Sequence, residues 1–304
     1  MKILIFGSGV QGTLFGVRLA LSGHDVTLVA RGDRAAELRA VGAVIRSATS
    51  GRVDSVRLPV IEHVTAATKA DLCLVTVRRE QIEEVLPTLA AATGIGLCLI
   101  MVNHANGSEP IFEALGRRRV VLGFPGAAGG LEGGVDRFIE VSEQPTVIES
   151  SAPEIAAVVR DAGFRVELVR DVDSWLRRHA VFVTAICGAL YQVDCDAVRL
   201  AASPQLVRNF VLAVREGWTA LDRLGVVPAP LALRTIFCWV PLPIAVKYWQ
   251  SLLRSPRGDL YFARHARHAV TEMAALAADV RALTAEAMPN LQNLFASIDA
   301  ARLL

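Results

Sequence analysis

The sequence predicts an α/β domain built on a doubly wound parallel sheet, followed by an all-α domain. Three observations carry this. Short apolar runs alternate with segments of helical spacing through the first half. A Gly7-Ser-Gly9-Val-Gln-Gly12 string joins the first run to the first helical segment. After Asp171 the strand signals largely vanish.

Lys2–Phe6, Asp25–Ala30, Leu72–Val77 and Leu97–Val102 are short, continuous apolar runs, which marks strands covered on both faces. Between them Gln11–Ser22, Arg34–Val41 and Glu80–Ala92 have helical spacing. The repeated β-α-β plan implies right-handed crossovers and a doubly wound sheet. Further on, Gly126–Gly134 is rich in glycine and alanine and predicts a loop or turn. Arg137–Val141 and Thr146–Glu149 predict a hairpin pair, Pro153–Ala162 a helix and Phe164–Val169 a last strand. Trp175–Gln192, Pro204–Leu224, Ala229–Leu253 and Asp259–Ala287 then predict helices, with a turn at Ser255–Asp259. The boundary falls near Asp171–Asp173, giving a nucleotide domain over 1–171 and a helical substrate or dimerisation domain over 172–304.

At 304 residues, 53% hydrophobic and 20% charged, the chain has the makings of a compact core rather than a disordered tail. A formal charge of +2 demands no basic face, so nucleic acid is not the expected partner. The five cysteines form no CxxC pair, which suits reduced, buried thiols. The first residues start a strand at once and offer no cleavable leader, so the expected compartment is the cytoplasm. Ile236–Tyr248 is apolar, but Pro241, Pro243 and Lys247 interrupt it, so no membrane span is expected.

The glycine string follows a strand and opens a helix, the context in which GxGxxG seats a dinucleotide pyrophosphate. Gly7 permits the tight turn, Gly9 leaves room for the phosphates, and Gly12 lets helix and sheet approach. Gly7, Ser8, Gly9, Val10, Gln11 and Gly12 are thus the candidate seat, with the helix N-terminus supplying unpaired N–H groups. Arg31 lies about twenty residues beyond the glycines, where the cofactor selector belongs. A guanidinium suits a 2′-phosphate, so the expected cofactor is NADP(H); Asp33 is the residue that argues for NAD(H). Arg78 follows the next strand and is a candidate for the adenosine phosphate or the pyrophosphate, or else an ordinary helix-start cation. Asn103, after the strand at Leu97–Val102, stands at the sheet's carboxyl edge; it is placed to bond the nicotinamide ribose or the substrate, or to make a turn with the following residues.

These segments resemble the ketopantoate reductase family, also called 2-dehydropantoate 2-reductase. The likeness runs through Lys2–Gly12, Gly23–Arg31, Leu74–Arg78 with Gln81, Asn103 to Glu109, Trp175-Leu-Arg177 and Pro289–Phe295. It implies a Rossmann-type domain, an all-helical domain and an active site in the cleft. It implies NADPH as hydride donor to the carbonyl of a 2-oxo acid. It also implies a lysine that protonates the alkoxide, asparagines and a serine that hold the substrate, and a glutamate near the C-terminus that orients the lysine or the product hydroxyl.

This chain departs from that pattern on the substrate side. The lysine position is Arg177, and the two helix asparagines fall on Val181 and Ala185. Counting back from Pro289 puts Ala269 at the glutamate, although a small gap brings in Glu272. Arginine is a poor general acid but suits polarising a carbonyl or clamping a carboxylate. Val181 and Ala185, on the same helix face as Arg177, predict an apolar wall to the substrate pocket. Replacement acids are sought among the histidines: His179 and His104, and a stripe of His265, His268 and Glu272 at i, i+3 and i+7 of one helix, which is either a polar face on the domain surface or a site with His268 and Glu272 as an oriented pair. No third ligand completes a metal site there.

The expected function is therefore an NADP(H)-dependent reductase of a small 2-oxo acid or related ketone, with Asn103, Arg177, His268 and Glu272 as candidate catalytic residues. Ketopantoate reduction by divergent residues and a non-catalytic NADPH-binding sensor are the alternatives. Phe237–Trp249, with Trp239, Tyr248 and Trp249, is a candidate homodimer patch, a part of the cleft, or core.

Overall fold

The computed structural model describes residues 1–141, 143–227, 231–283 and 287–303. The chain divides into two compact units: Met1–Val102 with Ser108–Val172, and Asn103–Gly107 with Asp173–Leu304.

In the first unit the apolar runs become strands at the centre of one sheet. In chain order the elements begin β1 (Lys2–Phe6), α1 (Val10–Leu21), β2 (Asp25–Val29), α2 (Gly32–Val41), β3 (Ala43–Ser47), β4 (Val53–Val56), β5 (Val60–Ile61), β6 (Ala70–Val75), α3 (Ile82–Ala91), β7 (Ile95–Ile100), α4 (Glu109–Leu115) and β8 (Val120–Phe124). They continue with β9 (Ala127–Glu132), β10 (Val135–Glu140), β11 (Thr146–Glu149), α5 (Pro153–Asp161) and β12 (Val166–Val169). Eight strands run in the order β12-β11-β8-β7-β6-β1-β2-β5. All neighbours are parallel except β8 and β11. Ile3, Leu4, Ile5 and Leu72–Val75 are buried on both faces, as a helix-covered parallel sheet requires.

A second sheet, β4-β3-β10-β9, lies on the other side of α1. It overturns two expectations. Gly126–Gly134 is not a loop: Ala127–Glu132 is strand β9, paired antiparallel with β10. A Cβ on Gly129 would stand 2.5 Å from Arg137 O and 2.8 Å from Val10 Cγ1, so this glycine serves close packing rather than a turn. The expected hairpin of Arg137–Val141 with Thr146–Glu149 does not form either. β10 pairs with β9 and β3, whereas β11, buried along its length, pairs with β8 and β12 in the large sheet.

The second unit is helical: α6 (Val172–Tyr191), α7 (Ala197–Ala202), α8 (Pro204–Arg223), α9 (Leu231–Arg234), α10 (Leu242–Arg254), α11 (Pro256–Gly258), α12 (Arg264–His268), α13 (Val270–Leu283) and α14 (Pro289–Arg302), with π-helical turns at Thr235–Trp239 and Asp259–Ala263. The start of the expected Ala229–Leu253 helix and the Thr284–Glu286 part of the expected Asp259–Ala287 helix lie outside the described residues. Within them, both expected helices are broken. Pro241 forces Val240 into an extended conformation, and Ala269, at φ −121° and ψ 23°, separates α12 from α13. A core centred on Phe182, Phe210, Trp218, Phe237 and Trp249 holds this unit together. No helix among the described residues is long and apolar enough to cross a membrane.

Candidate active site

Register places the nucleotide candidates together. Phe6 pairs with Val29 on one side and Val75 on the other, so the residues after β1, β2 and β6 leave the sheet at one height on its carboxyl edge. Gly7 takes φ +106°, open to glycine at little cost. A Cβ on Gly12 would lie 2.0 Å from Gly7 O and 2.8 Å from Thr76 Oγ1, so the helix can begin this close to the strand only without a side chain there. A Cβ on Gly9 would meet nothing within 4 Å; the space in front of it is open. Gly9 caps α1 without a side-chain hydrogen bond. The first N–H groups of α1 are therefore available to an anion.

Ser8 and Gln11 turn out to brace the turn. Ser8 Oγ donates to Val29 O at 2.9 Å, and Gln11 Nε2 donates to Ala127 O at 2.6 Å. Arg34, not singled out from sequence, ties the turn to the small sheet. Its Nε donates to Ser8 O (3.0 Å), and its Nη2 to Thr13 Oγ1 (2.9 Å) and to Asp136 Oδ2 (3.0 Å). Thr76 Oγ1 donates to Gly7 O at 2.7 Å. Asp136 is wholly buried. Burial outweighs the opposing pull of Arg34 and holds its carboxyl up at about 7. Arg34 is shared with Glu37, and Asp136 Oδ1 finds no partner among the described residues.

Arg31 is exposed at the start of α2, and its guanidinium takes no partner among the described residues; Asp33 is exposed beside it. Arg78 is exposed, whereas Arg79 is buried and ion-paired with Glu83 at 3.5 Å. Of the two arginines after β6, Arg78 is thus the exposed one.

The first unit is interrupted after Val102, and the next five residues, Asn103–Gly107, belong to the helical unit. Ala105 is wholly buried there. Its N–H donates to Asp279 Oδ2, and its carbonyl accepts from Arg177 Nε, both at 3.3 Å. Asn103 is 7% exposed and its Oδ1 has no partner among the described residues. Arg177 is half-buried and no carboxylate pairs with it among the described residues. Asp279 gave no sequence signal; its partner lies 174 residues away.

The rest of the expected substrate face differs. Val181 and Ala185 have no exposure and belong to the core rather than to a pocket wall. Val181 packs so tightly on α8 that a Cβ on Gly217 would stand 2.5 Å from its Cγ1. The single-helix stripe of His265, His268 and Glu272 is also corrected, because the break at Ala269 puts Glu272 on a different helix from the two histidines. His268 is exposed. His265 lies within electrostatic reach of His179, and Glu272 within reach of Cys187 and Tyr191, all three on α6. His179 stacks on Trp175 with ring centroids 5.1 Å apart, and burial, helped by His265, lowers its pKa to about 3.

The family model for Ketopantoate reductase PanE/ApbA matches residues 3–148. A 2-dehydropantoate 2-reductase of Archaeoglobus fulgidus is 31% identical over 237 residues, spanning 74% of this chain and 75% of that protein. The chain belongs to the ketopantoate reductase family, a family of nicotinamide-dependent oxidoreductases. A second 2-dehydropantoate 2-reductase, from Pyrococcus horikoshii, is 25% identical over 226 residues, or 71% of this chain and 72% of its own. The fold is shared with a D-mandelate dehydrogenase whose structure contains NADH and anilino(oxo)acetate, at a TM-score of 0.78 and 17% identity over 99% of this chain and 97% of that one. That shared fold extends over the helical unit as well, beyond the stretch that the family model matches.

Proposed function

We propose that this chain is an NADP(H)-dependent reductase of a small 2-oxo acid or related ketone. The observation that carries the reading is the open glycine turn at the N-terminus of α1, flanked on the same sheet edge by the exposed Arg31, which takes no partner among the described residues. The α1 amides hold the pyrophosphate, and Arg31 holds the 2′-phosphate, with Arg78 adding positive charge. NADPH, when bound, supplies the hydride for the substrate's carbonyl carbon.

On the substrate side, Arg177 spends Nε on Ala105 and keeps its terminal nitrogens for a carboxylate, which it grips as a fork. Asn103 Oδ1, buried without a donor among the described residues, accepts from a hydroxyl or amide of the cofactor or the substrate. Glu272 takes the orienting role of the family's glutamate. His268, exposed beyond the helix break, has no part in the proposed site. We place the protein in the cytoplasm. We also propose a homodimer through the exposed Trp239, Ile244 and Tyr248; Phe237 and Trp249 of the same segment are core.

The test is NADPH oxidation against a panel of 2-oxo acids and ketones, including ketopantoate, with calorimetry of NADPH and NADH binding. Turnover of a 2-oxo acid that is lost in Arg177→Ala supports the reading. Absence of binding to either nucleotide refutes it. Tight NADPH binding without turnover favours a sensor, a reading suggested by the arginine in place of the family's lysine.

A further inference from the structure

Ala105 lies in irregular chain between β7 and α4, wholly buried in the helical unit's core. Its N–H and C=O therefore need partners that no helix or ladder supplies. They find them in two side chains from different helices: Asp279 Oδ2 on α13 accepts from the N–H, and Arg177 Nε on α6 donates to the carbonyl. A carboxylate and a guanidinium thus grip one residue from either side.

The grip reaches the groups on either side of it. Two residues upstream stands Asn103, whose buried Oδ1 has no partner among the described residues. Two residues downstream, Gly107 adopts φ +90°, and a Cβ there would be 3.2 Å from Arg177 Nη2. The Arg177 guanidinium therefore lies along the Ala105–Gly107 turn and takes its position from it. Without the Asp279 carboxylate, the Ala105 N–H would be buried and unsatisfied, and the turn would have to move to reach water.

We propose that Asp279 is a positioning residue: through the Ala105 backbone it sets where the Arg177 guanidinium and the Asn103 carboxamide stand, and so governs the grip on a substrate carboxylate. The inference rests on reading Arg177 as the carboxylate binder. Asp279 touches no reacting atom.

The experiment compares Asp279→Ala, Asp279→Leu and Asp279→Asn in the full chain, with NADPH and two matched substrates, a 2-oxo acid and the methyl ketone lacking its carboxylate. Asp279→Ala raises KM for the acid by about ten-fold, the equivalent of one hydrogen bond to a charged group, with little change in kcat. The ketone, which has no carboxylate for Arg177 to grip and feels only the shift of Asn103, shows a clearly smaller rise than the acid, and Asp279→Asn, which keeps an acceptor oxygen, restores most of the loss. Asp279→Leu, of similar size but without an acceptor, repeats the Ala result if the Ala variant folds poorly. An equal penalty on acid and ketone, or no penalty on either, overturns the proposal. If the wild-type protein reduces no 2-oxo acid, the reading of the site has failed, and amide exchange then judges the positioning role alone. Faster exchange across residues 103–107 in Asp279→Ala, restored in Asp279→Asn, sustains it; unchanged exchange overturns it.

Discussion

Replacing Asp136 with asparagine removes a pH dependence from the sheet unit. Asp136 has no exposure, one oxygen 3.0 Å from Arg34 Nη2, and the other without a partner among the described residues. Burial raises its carboxyl from 3.8 to about 7 despite Arg34 and the Thr13 hydroxyl, and nearby Glu37 adds to the rise. The unfolded chain loses that proton near 3.8, so between the two values the folded state binds a proton that the unfolded state does not. This contribution to stability is complete below 3.8 and is lost as the pH rises through about 7. At about 1.4 kcal/mol per unit of difference, roughly 2.5 kcal/mol of it disappears between pH 5 and 8. Asparagine keeps an acceptor for Arg34 and carries no titration. Urea unfolding followed by circular dichroism, at four pH values between 5 and 8, gives the difference in stability between the variant and wild type. That difference shifts in favour of Asp136→Asn by about 2.5 kcal/mol from pH 5 to pH 8. Parallel pH profiles would refute the argument, because burial would then not be controlling the carboxyl.

His179 predicts the opposite slope in the helical unit. Its pKa, lowered to about 3 by burial, makes the folded state lose stability as the pH falls below 6.5, by about 2 kcal/mol at pH 5, and Phe in its place, still able to stack on Trp175, abolishes that loss; a variant whose profile runs parallel to wild type sinks it. The two slopes offset one another in the wild type, so each is read only as a difference between variant and wild type. Arg31→Ala weakens NADPH binding by about 10- to 100-fold, as expected for a lost charge-assisted contact to phosphate, and leaves NADH binding unchanged; equal losses by calorimetry remove Arg31 as the selector. Gly9→Ala, with open space around the new methyl, keeps the wild-type melting temperature and loses nucleotide affinity. Gly12→Ala instead loses about 1–3 kcal/mol of stability, because its methyl meets Gly7 O; similar melting temperatures for the two variants contradict this division.

What could be read from sequence was what depends on neighbours in the chain. The glycine turn was legible because strand, turn and helix follow one another within Lys2–Leu21, and the chemistry of a pyrophosphate seat fixes the spacing. The small sheet was not. β4 is a four-residue strand with alternating half exposure, and β9 is glycine-rich because it packs on α1, so neither shows a strand's usual composition. Likewise the bonds from Arg34 to Asp136 and from the Ala105 N–H to Asp279 join residues 102 and 174 positions apart, and no local pattern announces them.

The substrate helix shows why residue type alone misleads. Arg177, Val181 and Ala185 share a face by spacing, and the loss of two asparagines reads as a pocket turned apolar. The structure gives those positions to packing: Val181, with Leu291, fills the space that a side chain at Gly217 would occupy, and Ala185 is core. An asparagine at 181 would set its amide against these apolar neighbours and leave polar atoms unsatisfied. The change at Val181 and Ala185 is therefore accounted for by the helical core, whatever the substrate. Of the three positions Arg177 alone retains polar chemistry, and the loop at 103–107 determines where that chemistry is presented. Selectivity among carbonyl substrates should accordingly follow substitutions at Arg177 and in that loop more closely than substitutions further along α6.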